Sequence, residues 1–310
     1  MTTPSQLISI VIPVYNRAHI IERTLDSIYN QDTRPINLIL VDNNSSDNSL
    51  EVISRWKERH HSKDFDITIT SENTIQSASA ARNKGLSLVK TPYVMFFDSD
   101  DIMRPNHISR AARAFNDDPE LDIAGWDVMF HTLDGSTSIR PFADKDIVFR
   151  HTFNATLATQ RYAASTSLIR AAGGWNPTVL GWDDYELGMR LLGKNPKLMR
   201  LGDEITVDVM ESKESITGTD YSSRSTQWEY ALDIAEKHFR KNNWNISWIN
   251  LRRVILAALY AREHSPESSR LLKETLTHEP LPLKRALYRL AYTYTKLGGR
   301  GIHLLVRGFL

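Results

Sequence analysis

The sequence predicts an α/β fold, with a mostly parallel sheet flanked by helices and a helical C-terminal region. Short apolar runs rich in β-branched residues alternate with stretches in which apolar residues recur every three or four positions. This βαβαβαβ alternation is typical of a parallel sheet with right-handed crossovers. Beyond about residue 219 the spacing is helical almost throughout. We therefore expect two domains, at residues 1–218 and 219–310, separated at the Ser-, Thr- and Gly-containing segment 215–219.

The individual elements follow from the same patterns. Four apolar runs are predicted as strands, at residues 7–13, 36–41, 67–70 and 93–97. Helical spacing predicts helices between and after these strands, at residues 20–28, 47–56, 78–89 and 105–115. A longer strand is expected at 121–130, followed by a less regular stretch and then a helix near residue 187.

Composition limits the class of protein. The 310 residues are 41% hydrophobic and 24% charged, which is ordinary for a globular protein. The net charge of +1 argues neither for nor against nucleic acid, and no nucleic-acid partner is predicted. The absence of cysteine excludes disulfides and Cys-ligated zinc and is consistent with a reducing compartment. Because neither a membrane-spanning apolar run nor a signal-peptide pattern is present, we expect a cytoplasmic protein.

Three carboxylates directly follow the strand predicted at residues 93–97, in the run Asp98-Ser99-Asp100-Asp101. Self-repulsion and desolvation make such a cluster unfavourable at the end of a buried strand. Mg²⁺ or Mn²⁺ would relieve that repulsion, since both take hard oxygen ligands and commonly bind carboxylates together with substrate phosphates. The alternative is a turn in which Asp101 or Asn106 caps the next helix. Taken alone, this motif does not decide between the two hypotheses.

Polar side chains also follow the first two strands. Tyr15 and Asn16 come after the first strand, and Asp42 ends the second. Taken alone, Tyr15 is more often simply packed, and a plain turn residue is the favoured interpretation of Asp42. In open α/β sheets, however, ligands bind outside the carboxyl ends of the strands. Parallel strands would bring Tyr15, Asp42 and Asp98 to one crevice, where an aromatic ring and a carboxylate can hold a base or a ribose.

Five motifs in this order make the chain resemble family 2 glycosyltransferases. The motifs are Pro13-Val14-Tyr15-Asn16, Val41-Asp42-Asn43-Asn44-Ser45-Ser46-Asp47, Ala81-Arg82-Asn83-Lys84-Gly85, Asp98-Ser99-Asp100-Asp101 and Gly181-Trp182-Asp183-Asp184. They cover roughly two-thirds of the chain, and five ordered motifs are far more specific than one. The resemblance implies a GT-A fold and a metal-dependent transfer from a nucleotide sugar, most often a UDP-sugar. The acceptor would be a saccharide or lipid-linked saccharide, as in cell-surface polysaccharide synthesis.

The resemblance also implies roles for single residues. Tyr15 and Asp42 would hold the uracil, Asp98 would contact the ribose, and Arg82 would support the nucleotide. Pro13, Asn16 and Ser99 lie in the same motifs and are grouped with the nucleotide-binding residues. Asp100 would ligate the cation on the diphosphate, and Asp184 would deprotonate the acceptor.

The chemistry of these residue types supports such roles. A divalent cation stabilises the charge that develops on a diphosphate leaving group, and an inverting displacement needs a carboxylate base on the opposite face. Asp183 or Asp184 can serve as that base, and the family motif favours Asp184. Without the family motif, a capped helix with acids in its first turn would be the preferred interpretation.

The sequence departs from the family in two places. Many members carry a histidine metal ligand before a Ser-Ile pair, whereas here residues 210–214 precede Ser215-Ile216 without one. Either Glu211 substitutes as an oxygen ligand, or a water takes that place in the coordination. Residues 73–76 also lack the glycine that is usual before the Ala81-Arg82-Asn83 motif.

The last part of the chain is basic and apolar. No acidic residue follows Glu279, and basic residues interleave with aromatic and aliphatic ones. Two hypotheses stay open. Either an amphipathic surface makes a peripheral contact with anionic lipid on the inner face of the membrane, or a solvated face takes part in a homodimer or domain contact.

Two other functions remain as alternatives. A non-catalytic sugar-nucleotide-binding or scaffold protein would keep the fold, but the intact Asp98, Asp100 and Asp184 argue against it. A sugar-phosphate nucleotidyltransferase would need a Gly-rich basic loop after the first strand, which residues 16–19 do not form.

Overall fold

A computed structural model describes residues 8–212 and 220–310 of the chain. Its strands are β1 Ile8–Val14, β2 Ile36–Asp42, β3 Phe65–Ser71, β4 Tyr93–Phe96, β5 Ile102–Met103, β6 Ile123–Gly125, β7 Val128–His131, β8 Thr137–Arg140, β9 Tyr162–Ser165, β10 Leu198–Arg200 and β11 Val207–Met210. Its helices are α1 Ile21–Tyr29, α2 Ser49–His60, α3 Ala78–Leu88, α4 His107–Asp117, α5 Ile147–Asn154, α6 Thr166–Ala171, α7 Asp183–Leu192, α8 Ser225–Lys241, α9 Ile246–Arg262, α10 Glu267–Thr277, α11 Pro282–Lys296 and α12 Ile302–Val306.

A seven-stranded sheet in the order β10-β6-β9-β4-β1-β2-β3 forms the centre of the first structural unit, which comprises residues 8–147, 156–178 and 190–212. β1 pairs in parallel with both β2 and β4, and β3 continues the parallel order. Only β9 runs antiparallel to its neighbours β4 and β6 within the described residues. The predicted mostly parallel α/β sheet is therefore confirmed.

The first strands are apolar on both faces because helices cover both faces of the sheet. Every residue of β1 except Pro13 is buried, and β4 is buried throughout. Gly85 lies where α3 approaches the sheet, since a Cβ there would overlap the side chain of Val11. The glycine of the Ala81–Gly85 motif thus has a packing reason that is independent of any ligand.

A second, four-stranded sheet has the order β5-β11-β7-β8. β11 lies parallel to β7 and antiparallel to β5, so it joins β5 to the hairpin formed by β7 and β8. Asp208 of β11 strengthens this arrangement. Its carboxylate accepts hydrogen bonds of 2.9 Å from Arg104 and lies 2.8 Å from the His131 ring nitrogen.

The long strand expected at 121–130 is in fact two strands, β6 and β7, which belong to different sheets. Trp126 and Asp127 make the break. The Trp126 indole donates to the Gln160 carbonyl, and Asp127 accepts from the Phe142 amide and from Arg200. These long-range contacts satisfy the polar groups of the break, and no local apolar pattern encodes them.

The second structural unit is helical, as predicted for the C-terminal region. It comprises residues 148–155, 179–189 and 220–310, so two segments from earlier in the chain join α8 to α12. Its main core packs large side chains such as Trp228, Phe239 and Tyr260. The boundary expected at 215–219 lies outside the described residues, and the division into 1–218 and 219–310 stays a prediction.

Among the described residues, no helix has both the length and the apolar character needed to cross a membrane.

Candidate functional site

Neighbouring parallel strands bring the predicted residues of the first unit to one edge of the main sheet. β1 pairs with β2 so that Val14 lies opposite Asp42, and β1 pairs with β4 so that Val11 lies opposite Phe96. The residues that follow these strands therefore meet at the carboxyl edge, as the sequence predicts. Pro13 lies one position before this edge, beside Val41 in the register.

Asn16 has a structural role at this edge. Its backbone amide donates to Ser45 at 3.1 Å, and its side-chain oxygen accepts from the Ser46 amide at 2.8 Å. Its φ of 52° lies in the left-handed region, which asparagine tolerates better than most residues. Asn16 thus connects the loop after β1 to the loop after β2 by hydrogen bonds. The neighbouring Tyr15 is 43% exposed.

Asp42 is a buried carboxylate that is only half satisfied. One oxygen accepts a long hydrogen bond of 3.3 Å from the Ser45 amide. The other, Oδ1, is buried and has no hydrogen-bond partner among the described residues. Leaving a buried acceptor unpaired is unfavourable. A donor from a bound molecule, such as a base N–H, would satisfy it.

Asp98 is held by two donors. Arg82 donates to it at 2.7 Å, and the Gln160 amide donates to its other oxygen. The Arg82 side chain is 7% exposed, and its guanidinium lies 4.4 Å from the centre of the Trp175 ring. The arrangement orients Asp98 at the strand end. Gln160 and Trp175 were missed by sequence reasoning, since neither lies in a motif that carries chemistry.

The backbone of the Asp98–Asp101 loop is fixed by α1. Thr24 donates to the carbonyl of Ser99 at 3.1 Å, and Arg23 donates to the carbonyl of Asp100 at 2.8 Å. Ser99 itself is buried. The loop is therefore held in place before any ligand arrives.

Asp100 and Asp101 are in an environment that disfavours their charge. Burial and the neighbouring Asp98 charge raise the pKa of Asp100 to about 6. The Arg17 guanidinium, 4.0 Å from the Asp100 carboxylate, acts in the opposite direction but does not cancel this rise. Burial, with the charges of Asp98 and Asp100, raises the pKa of Asp101 well above its usual value. One Asp101 oxygen, Oδ2, is buried without a hydrogen-bond partner in the described ranges. A cation would reverse both shifts.

These residues fit a hard divalent cation by donor type. In residues 8–212 and 220–310, no group of three or more His, Asp or Glu side chains is arranged to hold a metal without further ligands. Mg²⁺ in phosphate-processing sites is commonly bound by one or two carboxylates together with waters and substrate phosphates. A cation held here would therefore depend on a bound diphosphate.

Glu211 follows β11, and its carboxylate accepts a hydrogen bond of 2.8 Å from the Leu133 amide. Its own amide donates to the His131 carbonyl at 2.8 Å. Both contacts close the end of the second sheet. The assignment of Glu211 as a metal ligand stays a prediction.

The Gly181–Asp184 motif belongs to the second unit. A Cβ at Gly181 would overlap the Trp228 ring, and Trp182 adopts a φ of 58°. The Trp182 ring packs against Trp228 at 4.9 Å between centroids and under the Arg252 guanidinium at 4.6 Å. The turn before the two acids is thus fixed by aromatic packing.

Asp183 and Asp184 both lie in the first turn of α7, which begins at Asp183, and both are half-buried. Carboxylates at this position stabilise a helix through its dipole and can also serve as a base at the helix start. The placement is consistent with both hypotheses, and the role of Asp184 stays a prediction.

A family model described as glycosyl transferase family 2 matches residues 9–164, just over half of the chain. The chain is 38% identical over 99 residues to a poly(ribitol-phosphate) beta-glucosyltransferase of Bacillus spizizenii, covering 30% of this chain and 15% of that protein. It is 34% identical over 104 residues to the glycosyltransferase GlyG of Streptococcus pneumoniae, covering 34% of this chain and 33% of that protein. The chain therefore matches only a minor part of the length of these relatives.

Solved structures share the fold over nearly the whole chain. The structure of S. aureus TarS 1-349 in complex with UDP is 16% identical, with a TM-score of 0.65, and covers 98% of this chain and 92% of that chain. The mannosyltransferase PcManGT from Pyrobaculum calidifontis, in complex with GDP-Man and Mn²⁺, is 18% identical, with a TM-score of 0.54, and covers 94% of this chain and 87% of that one. At these identities the likeness shows the fold alone.

Proposed function

The chain belongs to glycosyl transferase family 2, and we propose that it is a metal-dependent, inverting transferase. It moves a sugar from a nucleotide sugar, a UDP-sugar in the first instance, to a hydroxyl of a saccharide or lipid-linked saccharide acceptor. The UDP of the TarS complex and the GDP-Man and Mn²⁺ of the archaeal complex support this donor class and this cofactor. The similarity to a poly(ribitol-phosphate) glucosyltransferase supports an acceptor of cell-surface polysaccharide synthesis.

The observation that carries the proposal is the charge of the loop after β4. Asp98, Asp100 and Asp101 lie within four residues at the edge of a buried sheet, and burial raises the pKa of Asp100 to about 6. Repulsion among these three carboxylates lowers the stability of the folded protein, and a positively charged ligand would relieve it. Strained electrostatics of this kind are concentrated at functional sites.

The donor nucleotide is held by the side chains at the sheet edge. The unpaired Oδ1 of Asp42 accepts from a base N–H, and the exposed ring of Tyr15 stacks on the base. Arg82 and Gln160 keep Asp98 oriented, and its remaining lone pairs accept from a ribose hydroxyl. Pro13, Asn16 and Ser99 shape this edge through the backbone.

Asp100 binds the cation, with Glu211 as the second protein ligand in this proposal. When bound, Mn²⁺ or Mg²⁺ supplies Lewis-acid stabilisation of the charge that develops on the diphosphate leaving group. Asp100 must be ionised to bind it. A bound cation lowers the proton affinity of a carboxylate, so Asp100 is ionised near neutral pH when the cation is bound.

Asp184 takes the proton of the acceptor hydroxyl as the new glycosidic bond forms and the bond to the diphosphate breaks. The balance is simple: the acceptor loses one proton to the carboxylate, and the sugar carbon exchanges one oxygen substituent for another. The cytoplasmic location remains part of this proposal.

The experiment is a screen of UDP-sugars and GDP-mannose by calorimetric titration with and without Mn²⁺, followed by an assay for released nucleoside diphosphate. Metal-dependent release that is lost in Asp100→Asn supports the proposal. The matched control is Asp117→Asn, an exposed carboxylate at the end of α4. A chain that binds a nucleotide sugar but releases no nucleoside diphosphate, whichever acceptor is added, would instead be a non-catalytic binding protein.

A further inference from the structure

Helix α11 has two apolar sides. Tyr288, Ala291 and Thr295 are buried in the second unit. On the other side, Leu283, Leu290, Tyr294 and Leu297 recur at helical spacing and are 64%, 56%, 38% and 81% exposed. A surface helix with one polar face would have charged or polar residues at these positions. These four side chains therefore form an exposed apolar stripe along the outer side of α11.

The segment of the next helix also leaves apolar side chains exposed. Ile302 and Val306 of α12 pack into the same core cluster as Tyr288 and Ala291. This leaves apolar side chains exposed beyond α11, at Leu304, Leu305 and Phe309. We call the seven exposed residues, Leu283, Leu290, Tyr294, Leu297, Leu304, Leu305 and Phe309, the outer apolar surface.

The outer apolar surface is unusual within this molecule. Eighteen large hydrophobic residues are exposed in the described ranges, and eight of them lie between Leu281 and Phe309. The turn between the two helices is also ordered, because Tyr294 donates to the Arg300 carbonyl at 3.2 Å and its ring fills the space beside Gly299. Exposed apolar residues concentrated in this way on neighbouring elements indicate an interaction surface.

The charged side chains of residues 280–310 are all basic. Residues 280–310 contain six Lys and Arg side chains and no acidic one, so they contribute +6 to a chain whose net charge is +1. Helical spacing places Arg285, Arg289 and Lys296 on one flank of the outer stripe.

These basic side chains are electrostatically available. In the described part of the chain, Arg285, Arg289, Lys296 and Arg300 form no ion pair. Other arginines of the same unit do, as at Arg253 with Asp233 and at Arg270 with Glu229. Some arginines of the unit are therefore paired with a carboxylate, whereas within the described residues Arg285, Arg289 and Arg300 are not.

We propose that the outer apolar surface binds an anionic lipid bilayer, with α11 and α12 lying in the plane of the interface. Leu, Tyr and Phe side chains enter the boundary between headgroups and acyl chains, while Arg285, Arg289 and Lys296 contact the anionic headgroups. This inference does not depend on the proposed reaction.

A second copy of this chain is a poorer occupant of the surface. A two-fold interface brings the same patch of both copies together, so the basic flanks would face one another without an acidic residue between them. A negatively charged surface, in contrast, complements both the apolar stripe and its basic flank.

The experiment uses point variants of the full chain, since truncation at residue 280 would also remove the buried Tyr288, Ala291, Ile302 and Val306. Cosedimentation is measured with vesicles of phosphatidylcholine alone and of phosphatidylcholine with phosphatidylglycerol. The apolar variant is Leu290→Ser/Leu297→Ser and the charge variant is Arg285→Gln/Arg289→Gln. Matched controls in the first unit are Ile139→Ser, 55% exposed, and Arg55→Gln, whose side chain is 62% exposed.

The unaltered chain is expected to bind the anionic vesicles in preference to the neutral ones, and less as salt increases. Each double variant should bind roughly tenfold more weakly or worse, whereas both controls should bind as the unaltered chain does. Circular dichroism and urea midpoints confirm that the variants are folded. Equal vesicle binding by the double variants and the controls would overturn the proposal. So would a solution dimer that Leu290→Ser/Leu297→Ser converts to a monomer without changing vesicle binding.

Discussion

The carboxylate of Asp101 accepts a hydrogen bond of 2.8 Å from the backbone amide of Met210, although 109 residues separate the two in the sequence. The bond joins the acidic loop after β4 to the end of β11, which leads directly to Glu211. Because Asp101 is 1% exposed, the bond is shielded from solvent. The acidic loop and the second sheet are therefore held together by a carboxylate that also carries an unpaired oxygen.

This relationship predicts different outcomes for two substitutions at Asp101. Asp101→Asn keeps an acceptor for the Met210 amide and removes a buried negative charge, so the metal-free protein should be as stable as the original or more stable. Asp101→Ala leaves the amide unsatisfied, and the free energy of unfolding should fall by about 1–3 kcal/mol. Urea denaturation at pH 7 measures both. If Asn destabilised as much as Ala, the charge rather than the hydrogen bond would be the important feature.

The raised pKa of Asp100 predicts how the stability of the metal-free protein depends on pH. The folded state binds this proton more tightly than the unfolded state, so the stability from Asp100 is complete below the usual Asp pKa of 3.8 and is lost as pH rises through about 6. Asp100→Asn should remove that loss. The free energy of unfolding of this variant, relative to that of the unaltered protein, should therefore be higher at pH 7 than at pH 4, by at most about 3 kcal/mol.

Denaturation curves at pH 4 and pH 7, with and without Mn²⁺ and UDP added together, provide the measurement. The pair should stabilise the unaltered protein at pH 7 more than at pH 4, and Mn²⁺ should add little to the effect of UDP on Asp100→Asn. A wild-type stability that rises between pH 4 and pH 6 relative to that of Asp100→Asn would contradict the raised pKa.

Substitution of Asp42 tests recognition of the base. Asp42→Ala removes an acceptor that contacts the ground state and the transition state alike, so the KM for the donor should rise about ten- to hundredfold with little change in kcat. Asp66→Ala, at an exposed carboxylate of β3, is the control. Steady-state kinetics with varied donor measure the two constants. A fall in kcat with an unchanged KM would exclude base recognition by Asp42.

Adjacent substitutions at the start of α7 test the base. Asp184→Asn keeps the size of the side chain but cannot take up the acceptor proton, so transfer should fall by roughly two to four orders of magnitude while donor binding is preserved. Asp183→Asn should have a mild effect, because Asn and Asp serve almost equally well at a helix start. Transfer rates and donor Kd are measured for both variants.

The ranking of these two variants decides the assignment. If Asp183→Asn is inactive and Asp184→Asn is active, the base is the neighbouring residue. If both are active, the displacement proceeds without a carboxylate from this motif, and the inverting mechanism is wrong.

Sequence alone determined the central sheet and the edge at which the acids gather. β1, β2 and β4 are mostly apolar runs buried on both faces, so their hydrophobicity identifies them without any knowledge of their neighbours. β3 is only partly buried and is recognised by its β-branched residues. Once they are parallel and joined by helices, the residues after Val14, Val41 and Phe97 must lie at the same edge. The gathering of Tyr15, Asp42 and Asp98 at one edge was predictable for this reason, whereas Arg82 and Glu211 were suggested by the family motifs.

Only the tertiary structure decided what these residues touch and to which unit each segment belongs. Asp101 contacts Met210 across 109 positions of the sequence, and Asp98 contacts Gln160 across 62. The division of residues 121–130 between two sheets depends on the pairing of strands that have only three or four residues. Such contacts form between short segments without a periodic pattern, so local propensity carries no information about them. Residues 148–155 and 179–189 belong to the helical unit, and the second of these segments carries Asp184. Local sequence does not predict this, because large side chains such as Trp228 pack against partners that match their shape in three dimensions.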